Sequence, residues 1–348
     1  MSNNNQISRR RFLKNSTAGI LPLGFGMSQT SKLFAADKNY SKTNFPKKNI
    51  SPREAFILSL TCKWLDETDT VKVIKKVIER LEQMVSYNID IICLPEIFAQ
   101  RGSGSLSEKI EKTNTILNSF SSFAKQYNCY IICPVYSKKS DKFYNSAVLI
   151  DRQGSIAGQY DKIHPTEGEC DNGITPGNIT PPVFKTDFGI IGIQICFDIN
   201  WMEGWKGLKK QGAEIVFWPS AYPGGRMLSS YAWIFKYYTV GCSWSNPSLI
   251  YDISGDFIAE SGRLEQFAFA SLNMEKILCE VDFNMKKVKD IRRKYGRKIL
   301  IKYYQNEDWL TIESRSPDLK IKHLIDEYDL LPHSDYIKRA EAYQKNFR

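Results

Sequence analysis

Apolar side chains along this chain follow two spacings, and each spacing predicts one kind of secondary structure. Continuous runs rich in β-branched residues, such as residues 55–60 and 89–94, predict buried strands. Between them Val71, Ile74 and Ile78 recur three or four positions apart, which predicts one face of an amphipathic helix. The patterned part of the chain therefore begins with a strand, a helix and a second strand.

The same alternation continues as far as residue 282 and predicts a layered α/β fold. The further predicted elements are a helix at 116–127, a strand at 130–135, a hairpin at 146–160, a strand at 189–195, a helix at 204–211, a strand at 213–218, a helical region at 226–239 and short strands up to 282. Residues 284–348 are charged, aromatic and irregular in pattern. We expect them to form a C-terminal extension that wraps the domain or an oligomer partner.

Three residues with reactive or charged side chains directly follow predicted strands. Glu96 comes after the strand at 89–94, Lys162 follows the hairpin, and Cys196 ends the strand at 189–195. If these strands run parallel in one sheet, the three side chains emerge at the same edge. Taken singly, each is better explained as a packed thiol or a surface charge. Together they supply a nucleophile, a base and a positive donor for an oxyanion, which is the set that acyl transfer requires.

Three segments resemble the signature motifs of the nitrilase, or carbon-nitrogen hydrolase, superfamily. They are Leu94-Pro95-Glu96, Tyr160-Asp161-Lys162-Ile163-His164-Pro165 and Gly192-Ile193-Gln194-Ile195-Cys196-Phe197-Asp198. Their order and spacing fit the family over roughly residues 53–283, and three motifs in order are far more specific than one. The resemblance implies a four-layer αββα sandwich and assembly into a homodimer or a higher homo-oligomer.

Carried onto this sequence, the resemblance also implies a role for each matching residue. Cys196 is expected to be the nucleophile, Glu96 the general base and Lys162 the group that stabilises the tetrahedral intermediate. The backbone N–H of Phe197 would complete the oxyanion hole with Lys162. A second acid is expected at Glu169, where it would orient the lysine and the substrate.

Aromatic residues after the nucleophile are candidates for substrate contact. Trp218 and Tyr222 belong to a loop that follows a predicted strand and borders the same edge, and Trp201 lies close to Cys196 in sequence. Aromatic side chains are more often part of a core than of a binding pocket, so these three residues do not by themselves identify a substrate. Many family members carry an arginine shortly after the nucleophile, whereas this chain has Asn-Trp-Met-Glu at residues 200–203, which puts any salt bridge made by that arginine in doubt.

Composition excludes several other classes of protein. The chain has 348 residues, of which 42% are hydrophobic and 25% charged, as in ordinary globular proteins. Its net charge of +10 does not indicate nucleic-acid binding, because five of the lysines and arginines and no acidic residue lie in residues 1–36. Three histidines and no Cys-x-x-Cys pair give no metal site, and no cofactor is expected.

The amino terminus matches a twin-arginine export signal. Ser8-Arg9-Arg10-Arg11-Phe12-Leu13-Lys14 precedes a short apolar run at residues 18–26, and small residues near Ala35-Ala36 offer a cleavage site. Residues 1–36 are therefore predicted to be a removable signal and residues 37–52 a polar linker or arm. The protein is expected to be periplasmic or secreted and to meet the membrane only transiently. Its eight cysteines are expected to be mostly free, because such proteins cross the membrane already folded.

The sequence therefore predicts an exported hydrolase with a carbon-nitrogen hydrolase domain at residues 53–283. The substrate would be a small amide or an N-carbamoyl compound, cleaved through a thioester on Cys196 to a carboxylic acid and ammonia or an amine. A nitrilase, or an acyltransferase in which an amine replaces water, would use the same residues. A binding or scaffold protein that keeps the fold without catalysis is the alternative from another class.

Overall fold

The computed structural model describes residues 50–262 and 264–348, and their strands form two six-stranded sheets and one three-stranded sheet. The predicted export signal and nearly all of the predicted arm at residues 37–52 lie outside the described residues. Within the described ranges, no helix is both long and apolar enough to cross a membrane.

The first sheet contains strands from both ends of the sandwich domain. Its strands are β1 (Glu54–Leu60), β2 (Ile91–Cys93), β3 (Tyr130–Lys139), β4 (Lys142–Ile150), β5 (Ile156–Asp161) and β12 (Phe267–Asn273). Their order is β12-β1-β2-β3-β4-β5. The three strands β1, β2 and β3 are parallel, whereas the pairs β3 with β4, β4 with β5 and β1 with β12 are antiparallel.

The second sheet repeats this plan with a parallel centre and antiparallel edges. Its strands are β6 (Val183–Lys185), β7 (Ile190–Ile193), β8 (Ile215–Ser220), β9 (Tyr238–Ser243), β10 (Leu249–Tyr251) and β11 (Phe257–Glu260). Their order is β11-β10-β9-β8-β7-β6, and β7, β8 and β9 are parallel.

Helices cover the outer face of each sheet. These are α1 (Thr70–Glu82) and α3 (Thr113–Tyr127) on the first sheet, and α5 (Met202–Lys210) and α6 (Gly225–Phe235) on the second. Two shorter helices, α2 (Leu106–Glu111) and α4 (Glu167–Asp171), lie in connections. Successive side chains of β1 alternate between layers: Ile57 joins the core between the sheets and Leu58 the core beneath the helices. The predicted αββα sandwich is confirmed.

One predicted helix extends too far. The sequence pattern placed helix over residues 226–239, but α6 ends at Phe235, and Lys236 adopts a left-handed φ of 56°. Tyr238 begins β9, which is buried along its whole length. A fully buried parallel strand has no polar alternation, so its apolar residues could not be separated by pattern from the apolar face of the helix before it.

Residues 284–348, whose sequence pattern is irregular, are largely helix and strand. Together with β13 (Lys276–Glu280) just before them, they supply α7 (Val281–Tyr295), β14 (Ile299–Tyr304), β15 (Trp309–Ser314), α8 (Ile321–Tyr328) and α9 (His333–Gln344). The three strands form an antiparallel sheet in the order β13-β15-β14, so the predicted boundary at residue 283 falls inside α7. Only Asn284, Val288 and Ile291 of α7 are buried, and so narrow an apolar face gave little periodic signal.

This C-terminal unit has its own apolar core and also contacts the sandwich. Leu310, Ile312 and Leu324 are fully buried in that core. At the boundary with the sandwich, the Trp233 ring of α6 stacks on Trp309 of β15 with ring centroids 4.3 Å apart. The C-terminal unit therefore packs against the sandwich of its own chain through at least one aromatic contact.

Replacing Leu324 with alanine should destabilise the protein by about 2–5 kcal/mol, because it opens a cavity in a core that is already well packed. Urea unfolding would measure the change. Leu264, which is 95% exposed, offers a matched control, since Leu264→Ala removes the same atoms from the surface and should cost less than about 0.5 kcal/mol. Equal effects of the two substitutions would contradict a separate C-terminal core.

Candidate active site

The three residues singled out at strand ends lie together, but their strands belong to two sheets. Glu96 and Lys162 follow β2 and β5 of the first sheet, whereas Cys196 follows β7 of the second. The condition of one shared parallel sheet is therefore not met. The two sheets face each other across the central core, so strand ends from both can line one cavity.

The backbone is strained on both sides of this cavity. Cys196 begins a short 3-10 helix, Cys196–Asn200, with a φ of 44°, and Ile97, directly after Glu96, has a φ of 47°. Positive φ is uncommon for residues other than glycine and is a genuine outlier for a β-branched side chain. Such strain persists where the surrounding structure enforces it, and it concentrates at functional sites.

A fully buried carboxylate, that of Asp198, holds the turn at Cys196 in place. It accepts hydrogen bonds from the backbone N–H of Ile195 at 2.9 Å and of His164 at 2.8 Å. The Tyr160 hydroxyl donates to it at 2.6 Å. Ile195 belongs to the second half of the sandwich and Tyr160 to β5 of the first, so Asp198 ties the two halves together beside Cys196. No signal beyond its position in the motif pointed to this contact.

The carbonyl of Cys196 is held separately by a tryptophan. Trp218 is fully buried in β8, and its indole N–H donates to the Cys196 carbonyl oxygen at 2.9 Å. A buried indole N–H needs an acceptor, and this one uses the nucleophile's own backbone. Trp218, expected to contact substrate, thus supports Cys196.

Lys162 is buried between two carboxylates. Its ammonium lies 2.9 Å from Glu96 Oε1 and 2.7 Å from Glu169 Oε2, and its side chain is 1% exposed. Burial alone would lower the pKa of Lys162, but the attraction of the nearby acidic groups, Glu96 foremost, outweighs it and raises that pKa. Lys162 is therefore a permanent positive charge in the site.

Glu169 is oriented by its own helix. It is the third residue of α4, where its side chain accepts from the Thr166 N–H at 2.8 Å while its N–H donates to the Thr166 hydroxyl at 3.2 Å. Burial would raise the pKa of the Glu169 carboxyl, but Lys162 outweighs this and lowers it. The neighbouring acid Glu167 is exposed. The structure therefore places Glu169, not Glu167, beside the lysine.

Asn145 links the two carboxylates and was missed from the sequence. Its amide nitrogen donates to Glu96 Oε1 at 2.8 Å and to Glu169 Oε1 at 2.7 Å. It is 1% exposed within β4. An amide that precedes the apolar run at 147–150 in a predicted strand must find hydrogen-bond partners if it is buried, and this was the signal that could have identified it.

These groups line a cavity of about 360 Å³. Glu96, Lys162, Glu169 and Cys196 all contribute to its walls. Cys196 is 7% exposed, and burial, followed by the charge of Glu96, raises the pKa of its thiol to about 12. The cysteine is therefore a neutral thiol at physiological pH and needs a base to become a nucleophile.

The other predicted substrate contacts take different positions. Trp201 lies outside the cavity lining, and its ring is stacked on His164 with the planes 5° apart and the centroids 4.0 Å apart. Tyr222 packs edge-on against Trp218. Burial, with a further contribution from Cys196, raises the pKa of Tyr222 to about 12.

Other aromatic and charged side chains line the cavity instead. They are Tyr136, Trp244, Arg101 and Lys109. Trp244 is an aromatic residue that the sequence offers as a candidate for a pocket, and it directly follows β9, whereas Tyr136, Arg101 and Lys109 were missed.

Phe197, whose backbone N–H is predicted to be an oxyanion donor, directly follows Cys196 and is not among the residues that line the cavity. It is the second residue of the 3-10 helix that Cys196 begins. The first N–H groups of a helix have no carbonyl partner within that helix, so they are available to an anion.

All eight cysteines lie within the described ranges and none forms a disulfide there. The same part of the chain contains no group of three or more His, Cys, Asp or Glu side chains placed to hold a metal ion.

A family model described as carbon-nitrogen hydrolase matches residues 55–277. The chain belongs to the carbon-nitrogen hydrolase family. The match covers most of the sandwich and includes Glu96, Lys162, Glu169 and Cys196. The predicted hydrolase of carbon-nitrogen bonds other than peptide bonds is confirmed at the level of this class.

Known proteins agree with this assignment. The hydrolase is 25% identical over 234 residues to a deaminated glutathione amidase of Synechocystis, a match covering 57% of this chain and 85% of that one. It is 31% identical over 150 residues to a beta-ureidopropionase of Arabidopsis thaliana, covering 39% and 36% of the two chains. Among solved structures, a carbon-nitrogen hydrolase from Helicobacter pylori matches with a TM-score of 0.58 at 18% identity, covering 70% of this chain and 94% of that one.

Alkylation of Cys196 by iodoacetamide should accelerate about tenfold per pH unit between pH 7 and pH 10, because the reagent attacks the thiolate and a pKa near 12 keeps the thiol protonated throughout. Peptide mass mapping of the hydrolase after timed labelling would measure the rate. The exposed Cys170 serves as an internal reference for the reagent. A plateau in the Cys196 rate below pH 9 would show that the thiol ionises far more easily than its burial beside Glu96 requires.

Proposed function

We propose that this hydrolase cleaves a small amide or N-carbamoyl compound through a thioester formed on Cys196. The observation that supports this most directly is the composition of one cavity: a neutral thiol, a carboxylate at Glu96 and a buried ammonium at Lys162 all line it. These are the nucleophile, base and electrostatic stabiliser that acyl transfer needs.

In the first step, the Cys196 sulfur attacks the carbonyl carbon of the substrate. Because the pKa of the thiol is raised, its proton must leave as the sulfur–carbon bond forms, and Glu96 accepts it. The carbonyl oxygen becomes an oxyanion, which the Lys162 ammonium and the Phe197 N–H stabilise.

In the second step, the tetrahedral intermediate collapses. Glu96 returns the proton to the nitrogen, the carbon–nitrogen bond breaks, and ammonia or an amine leaves. A thioester remains on Cys196. Glu96 then takes a proton from water, which attacks the thioester, and the proton returns to sulfur as the acid departs. One water molecule is consumed in each cycle.

Glu169 and Asn145 act as positioning residues in this scheme. Both Lys162 and Asn145 donate to Glu96 and to Glu169, so the four groups form a closed network. Since Lys162 is held from two sides, its ammonium needs little reorganisation when charge develops on the substrate oxygen.

Replacing Cys196 with alanine should abolish turnover, because no other cavity residue supplies a nucleophile in this scheme. Ammonia release from panels of amides, N-carbamoyl compounds and nitriles would be measured for the wild type and for Cys196→Ala. Mass spectrometry of the wild type quenched during turnover should show an acyl adduct on Cys196. The matched control Cys170→Ala removes an exposed thiol and should leave turnover unchanged.

The same experiment separates the alternative functions. Activity restricted to nitriles would indicate a nitrilase, and product that forms only with an added amine would indicate an acyltransferase. An unmodified Cys196 after exposure to all three panels, with no ammonia released, would contradict the proposal and favour a scaffold. Substantial turnover by Cys196→Ala would contradict the assignment of the nucleophile.

We also propose that residues 1–36 direct export by the twin-arginine route to the periplasm or beyond. The support is the motif at residues 8–14 and the short apolar run at residues 18–26 that follows it. Replacing Arg9 and Arg10 together with lysine should retain the protein in the cytoplasmic fraction. Arg11→Lys, at the variable position of the motif, is the matched control and should still be exported. Equal export of both variants would contradict the route.

A homo-oligomer is the third part of the proposal. Helices α5 and α6 expose Met202, Met227 and Ile234, each between 42% and 47% exposed. Apolar side chains on neighbouring helices of this kind support association of two copies through that face.

A further inference from the structure

Two positive charges line the active-site cavity without an acidic partner. Arg101 is exposed and Lys109 is half-buried, and both contribute to the cavity wall. Neither makes an ion pair with a carboxylate anywhere in residues 50–262 and 264–348. In contrast, Lys162 at the buried end is paired with two carboxylates. The outer part of the cavity is therefore positive and open to a ligand.

Arg101 is held in a defined position. Its guanidinium carbon lies 3.8 Å from the centroid of the Trp244 ring. The backbone N–H of Trp244 is in turn bonded to the carbonyl of Ser220, the last residue of β8, at 2.9 Å. Stacking uses the flat face of a guanidinium and leaves its edge N–H groups free. Those donors form the planar fork that matches a carboxylate.

The buried end of the cavity is unsuitable for an anion. Glu96 and Glu169 carry two negative charges against the single positive charge of Lys162, and the Lys162 ammonium already has both as partners. A carboxylate placed beside Cys196 would face this excess of negative charge. The neutral amide carbon therefore belongs at the buried end, and an anionic group belongs at the outer end.

We propose that Arg101 binds a carboxylate of the substrate, with Lys109 adding to the attraction. The substrate would then be an acid whose scissile amide or carbamoyl group lies at the end remote from its carboxylate. This inference rests on the proposed function for the orientation of the substrate. The cavity volume of about 360 Å³ is near the lower end of the range of about 300–1,000 Å³ for small-molecule sites, which fits a short acid.

The first test uses chemical labelling, which does not require turnover. Maleimides with an acid arm of two to five carbons would each be compared with a maleimide whose arm ends in a primary amide. The labelling rate of Cys196 is divided by that of the exposed Cys170, which removes intrinsic differences between reagents. For at least one arm length, the wild type should favour the acid reagent about tenfold at Cys196.

Variants assign this preference to one residue. Arg101→Gln should abolish it, and Arg101→Lys, which keeps the charge, should retain a large part of it. Arg80 also stacks on a tryptophan, Trp64, but does not line the cavity. Arg80→Gln is therefore the matched control and should label like the wild type. The same acid-to-amide ratio in the wild type and in Arg101→Gln at every arm length would overturn the proposal.

The second test uses kinetics. Monoamides of short dicarboxylic acids would be compared with the corresponding diamides, which lack the charge. Arg101→Gln should raise KM for the monoamides about tenfold and leave KM for the diamides and all kcat values within about threefold of wild type. Equal changes for both substrate series would count against Arg101. If no amide is turned over at all, the proposed function fails, whereas the labelling ratio still decides the role of Arg101.

Discussion

The burial of one ammonium group between two carboxylates is the constraint on which the site depends. Lys162 is 1% exposed, and a charge in that position is tolerated only while its partners remain in place. Removing one partner of a buried pair costs about 3–5 kcal/mol, because the remaining charge is left uncompensated. The meeting of the ends of β2 and β5 with the start of α4 at Lys162 therefore stabilises the fold. The same ion pairs that satisfy this requirement leave Glu96 and Lys162 beside Cys196.

The nucleophile comes from the other sheet, so a second constraint is needed to bring it into register. Asp198 meets that need, since it accepts hydrogen bonds from both halves of the sandwich. The Trp218 indole then holds the carbonyl of Cys196. Trp218 thus contributes through the backbone of the nucleophile. Its position before a loop at the strand end made Trp218 a candidate for substrate contact. Because Trp218 is buried, however, its indole N–H can find an acceptor only within the protein.

Local patterns predicted the parts of the site that lie at strand ends and missed the parts that depend on distant contacts. Glu96 and Cys196 each follow an apolar run, so their placement follows from short stretches of sequence. Asn145 is 49 residues from Glu96 and 24 from Glu169, and nothing in its own strand indicates that it meets both. Arg101 does not directly follow a strand. The position of its guanidinium depends on stacking against Trp244, which is distant in the sequence. The helices and strands of the C-terminal unit were not predicted for a different reason. The buried face of α7 is too narrow to produce a clear helical period in the sequence.

The charges of the cavity also bear on how product would leave under the proposed chemistry. Hydrolysis of a terminal amide converts a neutral group into an anionic acid at the buried end, beside Glu96 and Glu169. The substrate group that entered there was uncharged, so the product is held less tightly than the substrate at that end. Arg101 interacts with the remote carboxylate equally before and after the reaction and therefore sets affinity without opposing release. A negative inner end and a positive outer end thus favour entry of an acid with one neutral amide terminus and departure of the resulting diacid. The negative inner end follows from the two carboxylates that keep Lys162 buried, and the positive outer end follows from Arg101 and Lys109.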